Sequence, residues 1–318
     1  MKTEIQKKNL VEALKQGLIT WSQFFALWQS LLIVLTLIGC GPSRKAPYET
    51  QPIVVLGNIP FESRGSIDLG GERVVDSSLI EGTLFYDFNE GANFSILKNG
   101  SEVAQYGGIN FTYVVKHGGV FYKFGEGGND IYLNASADGI NWFPLNNAQP
   151  VFRHDPNPNS AWYQLWNVGV DVDSAGVWHL FVECSDKTPG QAAVGICYAT
   201  GNINGFHHVS ESPVIVNAGN PFVKALPQGL LIVHGMVNHP IGPFGNEWFI
   251  TASTMKYGQS VETHTDKFLL GTPGIHDCDP HMDQSDLGLT LVFSVDQSHL
   301  QTAVTPLNFN QFFERLTQ

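Results

Sequence analysis

Short apolar runs separated by glycine, asparagine, aspartate and proline make up the chain after residue 53. Runs such as VFYKF (120–124), VWHLF (177–181) and LTLVF (289–293) have the length and the β-branched and aromatic content of strands. No stretch after residue 53 repeats its apolar residues with the spacing of a helix. The pattern therefore predicts an all-β protein with many turns.

A repeated unit organises these strands. Asn110, Asn167, Asn220 and Asp279 each lie nine positions before a glycine, with one predicted strand before that glycine and another after it. The units begin 57, 53 and 59 residues apart, which suits a sheet of four short strands. Radial repetition of such sheets forms a β-propeller.

An earlier unit fits near Asp76, which gives five blades beginning near residues 76, 110, 167, 220 and 279. The apolar segment Ile53–Ile59 is left over. We expect it to add an outer strand to the last blade and close the ring, since closure hides an exposed strand edge. The predicted fold is a five-bladed β-propeller of four-stranded antiparallel blades.

The first 39 residues have the organisation of a signal peptide. Four lysines among residues 1–16 precede an apolar run that peaks at residues 31–38 and ends in Leu37-Ile38-Gly39-Cys40. These last four residues resemble the lipobox of bacterial lipoproteins. The resemblance implies that Cys40 becomes the lipidated first residue of the mature chain and attaches it to a membrane.

The chain is therefore expected to divide into a lipoprotein signal peptide (1–39), a lipid-anchored linker (40–52) and the propeller (53–318). The expected location is the periplasmic face of a membrane or the cell surface. An uncleaved transmembrane helix over residues 17–39 is the alternative. It also places the rest of the chain outside the cytoplasm.

Composition narrows the class of partner. The chain has 318 residues, 17 of them basic and 29 acidic, and its net charge is −12. A nucleic-acid-binding protein needs a basic face, so that class is excluded. An acidic exterior suits a neutral ligand instead.

Three cysteines follow Cys40: Cys184, Cys197 and Cys278. Cys184 and Cys197 flank one predicted hairpin, whose expected register does not place them opposite each other. We therefore predict no disulfide, and regard all three as small buried apolar side chains.

Two motifs resemble a known family. Residues 135–142 (ASADGINW) are similar to the ATS-x-DG-x-x-W turn of five-bladed glycosidase propellers, and Asp279-Pro280-His281 resembles the DP-x start of an inner strand in the same group. The resemblance covers roughly residues 75–305 and is to the glycoside hydrolase family 43-like superfamily of arabinanases, levansucrases and invertases. It implies hydrolysis in a central funnel by an Asp base, a second Asp that tunes the acid, and a Glu acid.

The chain departs from that family in one respect. Asp76 and Asp279 match the aspartates at inner-strand starts, but asparagines stand at the other three starts. An amide cannot transfer the catalytic proton. Glu183, at the end of a second strand, is the best replacement acid.

Propeller geometry gathers the candidate residues at one rim, because the start of a first strand and the end of a second lie at the same face. Glu126 and Glu183 are each seven residues beyond a turn glycine, so we expect them to share a blade position. We predict Glu183 as acid and Asp279, assisted by Asp76, as base. The predicted substrate-binding residues at this rim are Asn110, Glu126, Trp162, Trp166, Asn167, Asn220 and His281.

The predicted function is glycosidase-like hydrolysis of oligo- or polysaccharides at the cell envelope. A non-catalytic sugar-binding propeller is the first alternative, favoured by the three asparagines, and a structural or protein-interaction propeller is the second. The chain has no nucleophile elbow, phosphate-binding loop or dinucleotide fingerprint. We predict no cofactor and no transition metal, and leave open a calcium ion in the central channel.

Overall fold

The computed structural model describes residues 53–67, 74–88, 93–98, 101–107, 109–186, 195–237, 248–272, 277–295 and 299–318. The chain divides into a unit of residues 1–47 and a unit of residues 48–318, and all described residues belong to the second. Within these ranges no helix combines the length and hydrophobicity needed to cross a membrane. The predicted signal peptide, Cys40 and the linker lie outside the described residues.

Antiparallel strands form five sheets, numbered here as blades by the order of their first strands. Blade one contains β3 (Val74–Ile80), β4 (Thr83–Phe88), β5 (Asn93–Lys98) and β6 (Ser101–Gly107). Blade two contains β7 (Asn110–His117), β8 (Val120–Gly127), β9 (Asp130–Ser136) and β10 (Phe143–Pro144). Blade three contains β11 (Gln164–Val172), β12 (Trp178–Ser185), β13 (Gly195–Asn202), β14 (Gly205–His208) and β15 (Ile215–Val216).

The last two blades also use strands from the beginning of the described chain. Blade four contains β16 (Ala218–Leu226), β17 (Gly229–Met236), β18 (Phe249–Met255), β19 (Glu262–Thr263), β20 (Phe268–Gly271) and β1 (Val54–Gly57). Blade five contains β21 (Asp277–Ser285), β22 (Gly288–Val295), β23 (His299–Thr305) and β2 (Glu62–Ile67). A 3-10 turn covers Asn146–Ala148, and helix α1 covers Phe309–Thr317.

The first strands of the five blades close into a ring. β3, β7, β11, β16 and β21 contact one another in that cyclic order, and β21 returns to β3. Every residue of β12 and β17 is buried, as expected for strands covered on both faces by neighbouring sheets. The prediction of a five-bladed propeller is confirmed, with each blade starting within about three residues of the predicted position.

The prediction that Ile53–Ile59 adds the outer strand to the last blade is wrong, because the strand that follows this segment completes that blade. β1 pairs with β20 in blade four, and β2 pairs with β23 in blade five. Phe61, between these strands, is buried and packs its ring 5.3 Å from that of Phe268 and 5.9 Å from that of Phe312. This aromatic cluster fixes the chain where it passes from one blade to the other.

The expectation that no helix follows residue 53 is also wrong. α1 begins with a capping box in which the Asn308 side chain accepts from the Gln311 N–H and the Gln311 side chain accepts from the Asn308 N–H. Phe309, Phe312, Phe313 and Leu316 are buried along one face. The helix is only nine residues long, and this apolar face anchors it to the strands.

A disulfide joins Cys184 in β12 to Cys197 in β13, so the prediction of free thiols is wrong for this pair. The register itself was correctly expected, because Cys184 pairs with Gly195 and Cys197 with Val182. Cysteines two positions apart on paired strands are diagonal neighbours on one face, and their Cα atoms are 6.0 Å apart. That separation lies within the usual range for a disulfide.

Removing this disulfide is expected to destabilise the propeller. The bridge closes a 13-residue loop, so the Cys184→Ala/Cys197→Ala variant should lose about 3 kcal/mol of unfolding free energy. Guanidinium unfolding monitored by tryptophan fluorescence measures this loss. Reductant should lower the wild-type midpoint and leave that of the variant unchanged. Equal midpoints for the two proteins would contradict the prediction.

Candidate active site

A β-bulge near the start of each first strand shapes the rim of the funnel. The pairing with the second strand shifts between Asn110 and Tyr113 in blade two, and the other four blades shift at the same level. Asn220 and Asp279 occupy such bulges with φ angles of 52° and 54°. Bulges re-aim side chains, and here they direct polar groups towards one another.

Glu183 lies near the end of β12, where two asparagines bind its carboxylate. The Asn167 Nδ2 donates to Glu183 Oε2 at 2.9 Å, and the Asn220 backbone N–H donates to the same oxygen at 3.1 Å. Burial raises the pKa of Glu183 above its usual range, although these two hydrogen bonds lower it. The geometry gives a carboxyl group that can hold a proton while fixed in one orientation.

Asn220 links Glu183 to the second predicted carboxylate. Its side-chain Nδ2 donates to Asp279 Oδ1, while its backbone N–H bonds Glu183. The Cys278 thiol donates to Asp279 Oδ2 at 2.9 Å. Burial raises the pKa of Asp279 from 3.8 to about 8, and the charges of Glu183 and Asp87 add to the rise.

Asp76 belongs to the same cluster. It is buried, and its Oδ1 accepts the N–H of Ser77 at 2.8 Å. Burial, followed by the charges of Asp279, Asp87 and Glu183, raises the pKa of Asp76 well above its usual range. All three predicted catalytic residues therefore lie in one electrostatically connected group.

Asp87 is a fourth buried carboxylate of this group, and sequence reasoning missed it. It lies directly opposite Asp76 on β4 and accepts hydrogen bonds from the backbone N–H and the hydroxyl of Thr112. Burial raises its pKa to about 7, while Thr112 and the charge of Lys123 lower it. The available indication was an acidic residue inside the aromatic run FYDF (85–88).

Glu126 and Glu183 do not share a blade position, contrary to the prediction. Glu126 pairs with Asn110 before the bulge, and its carboxylate accepts the N–H of Asn129 in the next turn. Two residues separate the first two strands of blade two, whereas five separate those of blade three. Residues at the same distance from the turn glycine therefore differ by one position between the two blades. A shift of one residue places a side chain on the opposite face of a strand.

Two other predicted substrate-binding residues, Trp162 and His281, are buried side chains. Trp162 is fully buried, stacks on His208 at 4.2 Å and donates through Nε1 to the Ser210 carbonyl at 3.0 Å. His281 is buried, and its Nδ1 accepts the Leu79 N–H. Burial lowers the pKa of His281 to about 3, so the ring is neutral.

Two half-buried tryptophan rings, Trp166 and Trp248, lie at the rim. Trp166 lies in the blade-three bulge beside Asn167. Trp248 covers the cross-strand pair Gly219 and Gly235, where a Cβ atom on Gly235 would lie 2.7 Å from its Cε3. A Cβ on Gly219 would lie 3.0 Å from Trp248 Cη2 and 2.7 Å from Glu183 Cδ. The two glycines thus make room for an indole ring beside the Glu183 carboxylate.

Over the ranges that the structure describes, no three His, Cys, Asp or Glu side chains are arranged to hold a metal ion. The cluster presents carboxyl and amide groups, which suits proton transfer and binding of hydroxyl groups. The predictions of no cofactor and no transition metal stay predictions.

Comparison with known proteins gives structural matches only. No protein-family model matches the chain, and no curated protein matches its sequence. A GH32 β-fructofuranosidase from Bombyx mori superposes with a TM-score of 0.52 at 12% identity, covering 76% of this chain and 61% of that one. This chain thus spans less than two thirds of the length of that enzyme.

Two further solved structures are matched over most of their length. An α-L-arabinanase of Cellvibrio cellulosa, complexed with arabinohexaose, gives a TM-score of 0.51 at 10% identity over 76% of this chain and 92% of that one. An endo-1,4-β-xylanase of Bacteroides thetaiotaomicron superposes with a TM-score of 0.51 at 13% identity, covering 72% of this chain and 89% of that one. The chain therefore has the five-bladed β-propeller fold found in these glycoside hydrolases.

Proposed function

We propose that this protein hydrolyses glycosidic bonds at the carboxylate cluster of the propeller funnel. The observation that carries the proposal is the pair Glu183 and Asp279, both buried and both bound by Asn220. Because one asparagine spans the gap, the two carboxylates lie within about 10 Å of each other, as glycosidases require. The fold shared with glycoside hydrolases supports the same reaction class.

Glu183 acts as the general acid in this proposal. Burial raises its pKa, which favours the protonated form that the leaving oxygen needs, and the hydrogen bonds from Asn167 and Asn220 fix the carboxyl group. Protonation of the leaving oxygen allows the glycosidic bond to break while positive charge develops on the sugar. The neighbouring Trp248 keeps one side of the acid apolar.

Asp279 acts as base or nucleophile once it has lost its proton. Its pKa of about 8 means that the fraction of ionised Asp279 increases as the pH rises towards 8. Ionised Asp279 then supplies the negative charge that stabilises an oxocarbenium-like transition state, while burial raises the pKa values of Asp76 and Asp87 and favours their protonated forms. Asn167 and Asn220 present amide groups suited to the hydroxyls of the substrate.

Hydrolysis is tested by incubating the full-length protein with arabinohexaose, xylohexaose, fructo-oligosaccharides and aryl glycosides, and counting new reducing ends. The first three probes follow the substrates named for the matched structures. Turnover of at least one probe, lost in Asp279→Asn, is the expected result. Binding without turnover by the wild type would instead support the sugar-binding alternative, which the asparagines at the rim favour.

Gly219→Ala is expected to impair the site without unfolding the protein. The new methyl group would push the Glu183 carboxylate and Trp248 away from their positions, and a displacement of about 1 Å at a reacting group lowers activity about a hundredfold. Gly205→Ala is the control, because its Cβ would meet only the Val151 carbonyl at 3.6 Å. Values of kcat/KM and Tm for both variants give the comparison. An unchanged kcat/KM in Gly219→Ala would contradict the assignment of Glu183 to the active site.

We further propose that a lipid on Cys40 holds the propeller at the periplasmic face of a membrane or at the cell surface. The lipobox and the three prolines in the linker that follows support this. Metabolic labelling with radioactive palmitate tests it, with Cys40→Ala as the control. Labelling of both proteins, or of neither, would contradict the proposal.

A further inference from the structure

A concave surface lies on the wall of the propeller between blades three and four. This wall groove has a volume of about 510 Å³ and is formed by Tyr198, Thr200 and Val209 on one side and Tyr257, Gln259 and Ser260 on the other. Its volume lies in the range of small-molecule sites.

The wall groove is separate from the carboxylate cluster. Thr200 pairs with His179 near the beginning of β12, whereas Glu183 lies four residues further along that strand. Four residues of extended strand span about 13 Å. A ligand in the groove would therefore lie at the other end of the blades from a substrate in the funnel.

Tyr257 is an exposed ring held in a fixed position. It is 41% exposed, its hydroxyl donates to the Leu226 carbonyl at 3.0 Å, and its ring lies 5.9 Å from that of His179. An exposed aromatic ring that is already immobilised loses little conformational entropy when a ligand stacks on it. This distinguishes Tyr257 from a freely rotating surface side chain.

Tyr198, on the opposite side of the groove, is fixed by a chain of hydrogen bonds. Its hydroxyl lies 2.7 Å from His179 Nδ1, and His179 Nε2 lies 3.1 Å from Asp173 Oδ2. Its ring stacks on Phe181 at 4.5 Å. Both aromatic sides of the groove are thus preorganised.

The lining indicates an uncharged ligand. None of the described residues that line the groove is charged, and exposed Gln259 and Ser260 offer an amide and a hydroxyl beside the Tyr257 ring. Val209, 52% exposed, adds apolar surface. A neutral molecule with one apolar face and many hydroxyls, which is the chemistry of a sugar ring, matches this combination.

We propose that the wall groove is a second carbohydrate-binding site, which takes a neutral oligosaccharide segment by stacking a sugar ring on Tyr257. The ligand class rests on the proposed function, since the substrate itself would be an oligo- or polysaccharide. Binding here would hold a long polysaccharide on the protein while another part of the chain, or a neighbouring chain, enters the funnel. The site increases retention of polymer and does not take part in the chemical step.

Calorimetric titration tests the proposal in the full-length Asp279→Asn protein, with arabinohexaose, xylohexaose and fructo-oligosaccharides as probes. The expected result is two binding events, one of which is weakened about tenfold by Tyr257→Ala, the loss expected for removing one stacked ring. Tyr257→Phe keeps the ring and should retain most of the affinity. Phe143→Ala, which removes another exposed aromatic ring (65% exposed) outside the groove, is the matched control and should change neither event.

Rates of hydrolysis by the Tyr257→Ala variant, with Asp279 intact, distinguish a role of the wall groove from a role of the funnel. Turnover of a small aryl glycoside should stay unchanged, whereas turnover of polymer at low concentration should fall. If no probe binds in a Tyr257-dependent way while hydrolysis persists, the wall groove is not a sugar site and the proposed function stands. If Tyr257-dependent binding persists without any hydrolysis, the proposed function fails and the wall-groove site stands. Tyr257-dependent binding of decanoate but of no sugar would overturn the proposal in favour of an acyl-chain site.

Discussion

Glu183→Gln should reduce the hydrolysis of oligosaccharides about a thousandfold, because glutamine cannot protonate the leaving oxygen. The substitution keeps an acceptor oxygen for Asn167 and Asn220, which now bond the carboxylate at 2.9 and 3.1 Å, so the local structure should survive. The loss should therefore appear in kcat, with little change in Tm. Initial rates with an oligosaccharide substrate measure it directly.

The leaving group distinguishes an acid from a binding residue. A dinitrophenyl glycoside needs no protonation to depart, so Glu183→Gln should lose less than about tenfold on that substrate. Glu126→Gln is the matched control, since Glu126 and Glu183 are both 8% exposed and both end second strands, but Glu126 caps a turn. Equal losses on both substrates, or a comparable loss in Glu126→Gln, would refute the role of Glu183 as acid.

The fold was predictable because strand spacing is a local property of the sequence. The polar residue that opens each first strand and the glycine that follows the strand recur in every unit after residue 110, and they mark the blades correctly. Closure by an N-terminal segment was expected, but its two strands and their partners were not predictable, because β1 and β2 pair with strands more than two hundred residues away. Phe61, between these two strands, packs on Phe268 of blade four and Phe312 of α1, which are contacts that exist only in the folded chain.

The site was predictable only in part, because register decides which side chains meet. Asp279, Asp76 and Glu183 were expected at one rim from their strand positions, and the structure places all three in one cluster, while their catalytic roles stay predictions. Glu126 was misplaced because a longer turn in blade three shifts the count. Asp87 was missed because it faces Thr112 of the next blade, a contact that requires the assembled ring.

Burial of individual rings could not be inferred from residue type. Trp162 and Trp166 are four residues apart in sequence, yet one is fully buried and the other half-buried. The difference arises because Trp162 stacks on His208 from the outer part of blade three, whereas Trp166 occupies a bulge at the rim. The same limitation applies to His281, which is buried between the rings of Tyr113 and Phe222.

Asp279→Asn should abolish activity and, in addition, stabilise the protein at alkaline pH. The native pKa of this carboxyl is raised from 3.8 to about 8. Below pH 3.8 this carboxyl is protonated in both the native and the unfolded state, so its ionisation does not change the free energy of unfolding. Between pH 4 and 8 the unfolded chain ionises while the native state retains the proton, and native stability falls by an amount on the order of 5 kcal/mol. Asparagine cannot ionise, so the variant avoids this loss.

Unfolding midpoints at pH 4.5 and pH 9 measure the effect, and the difference between Asp279→Asn and wild type should be larger at pH 9. Asp171→Asn is the control and should lower the unfolding midpoint, because buried Asp171 pairs with Lys224 at 2.9 Å and the substitution breaks this ion pair. A gain at pH 9 with loss of activity would show that the fold tolerates a destabilising carboxyl group where the chemistry needs one. Equal midpoints at pH 9 would mean that the charge of Asp279 carries no such cost, and kcat/KM of the wild type should then no longer rise as the pH approaches 8.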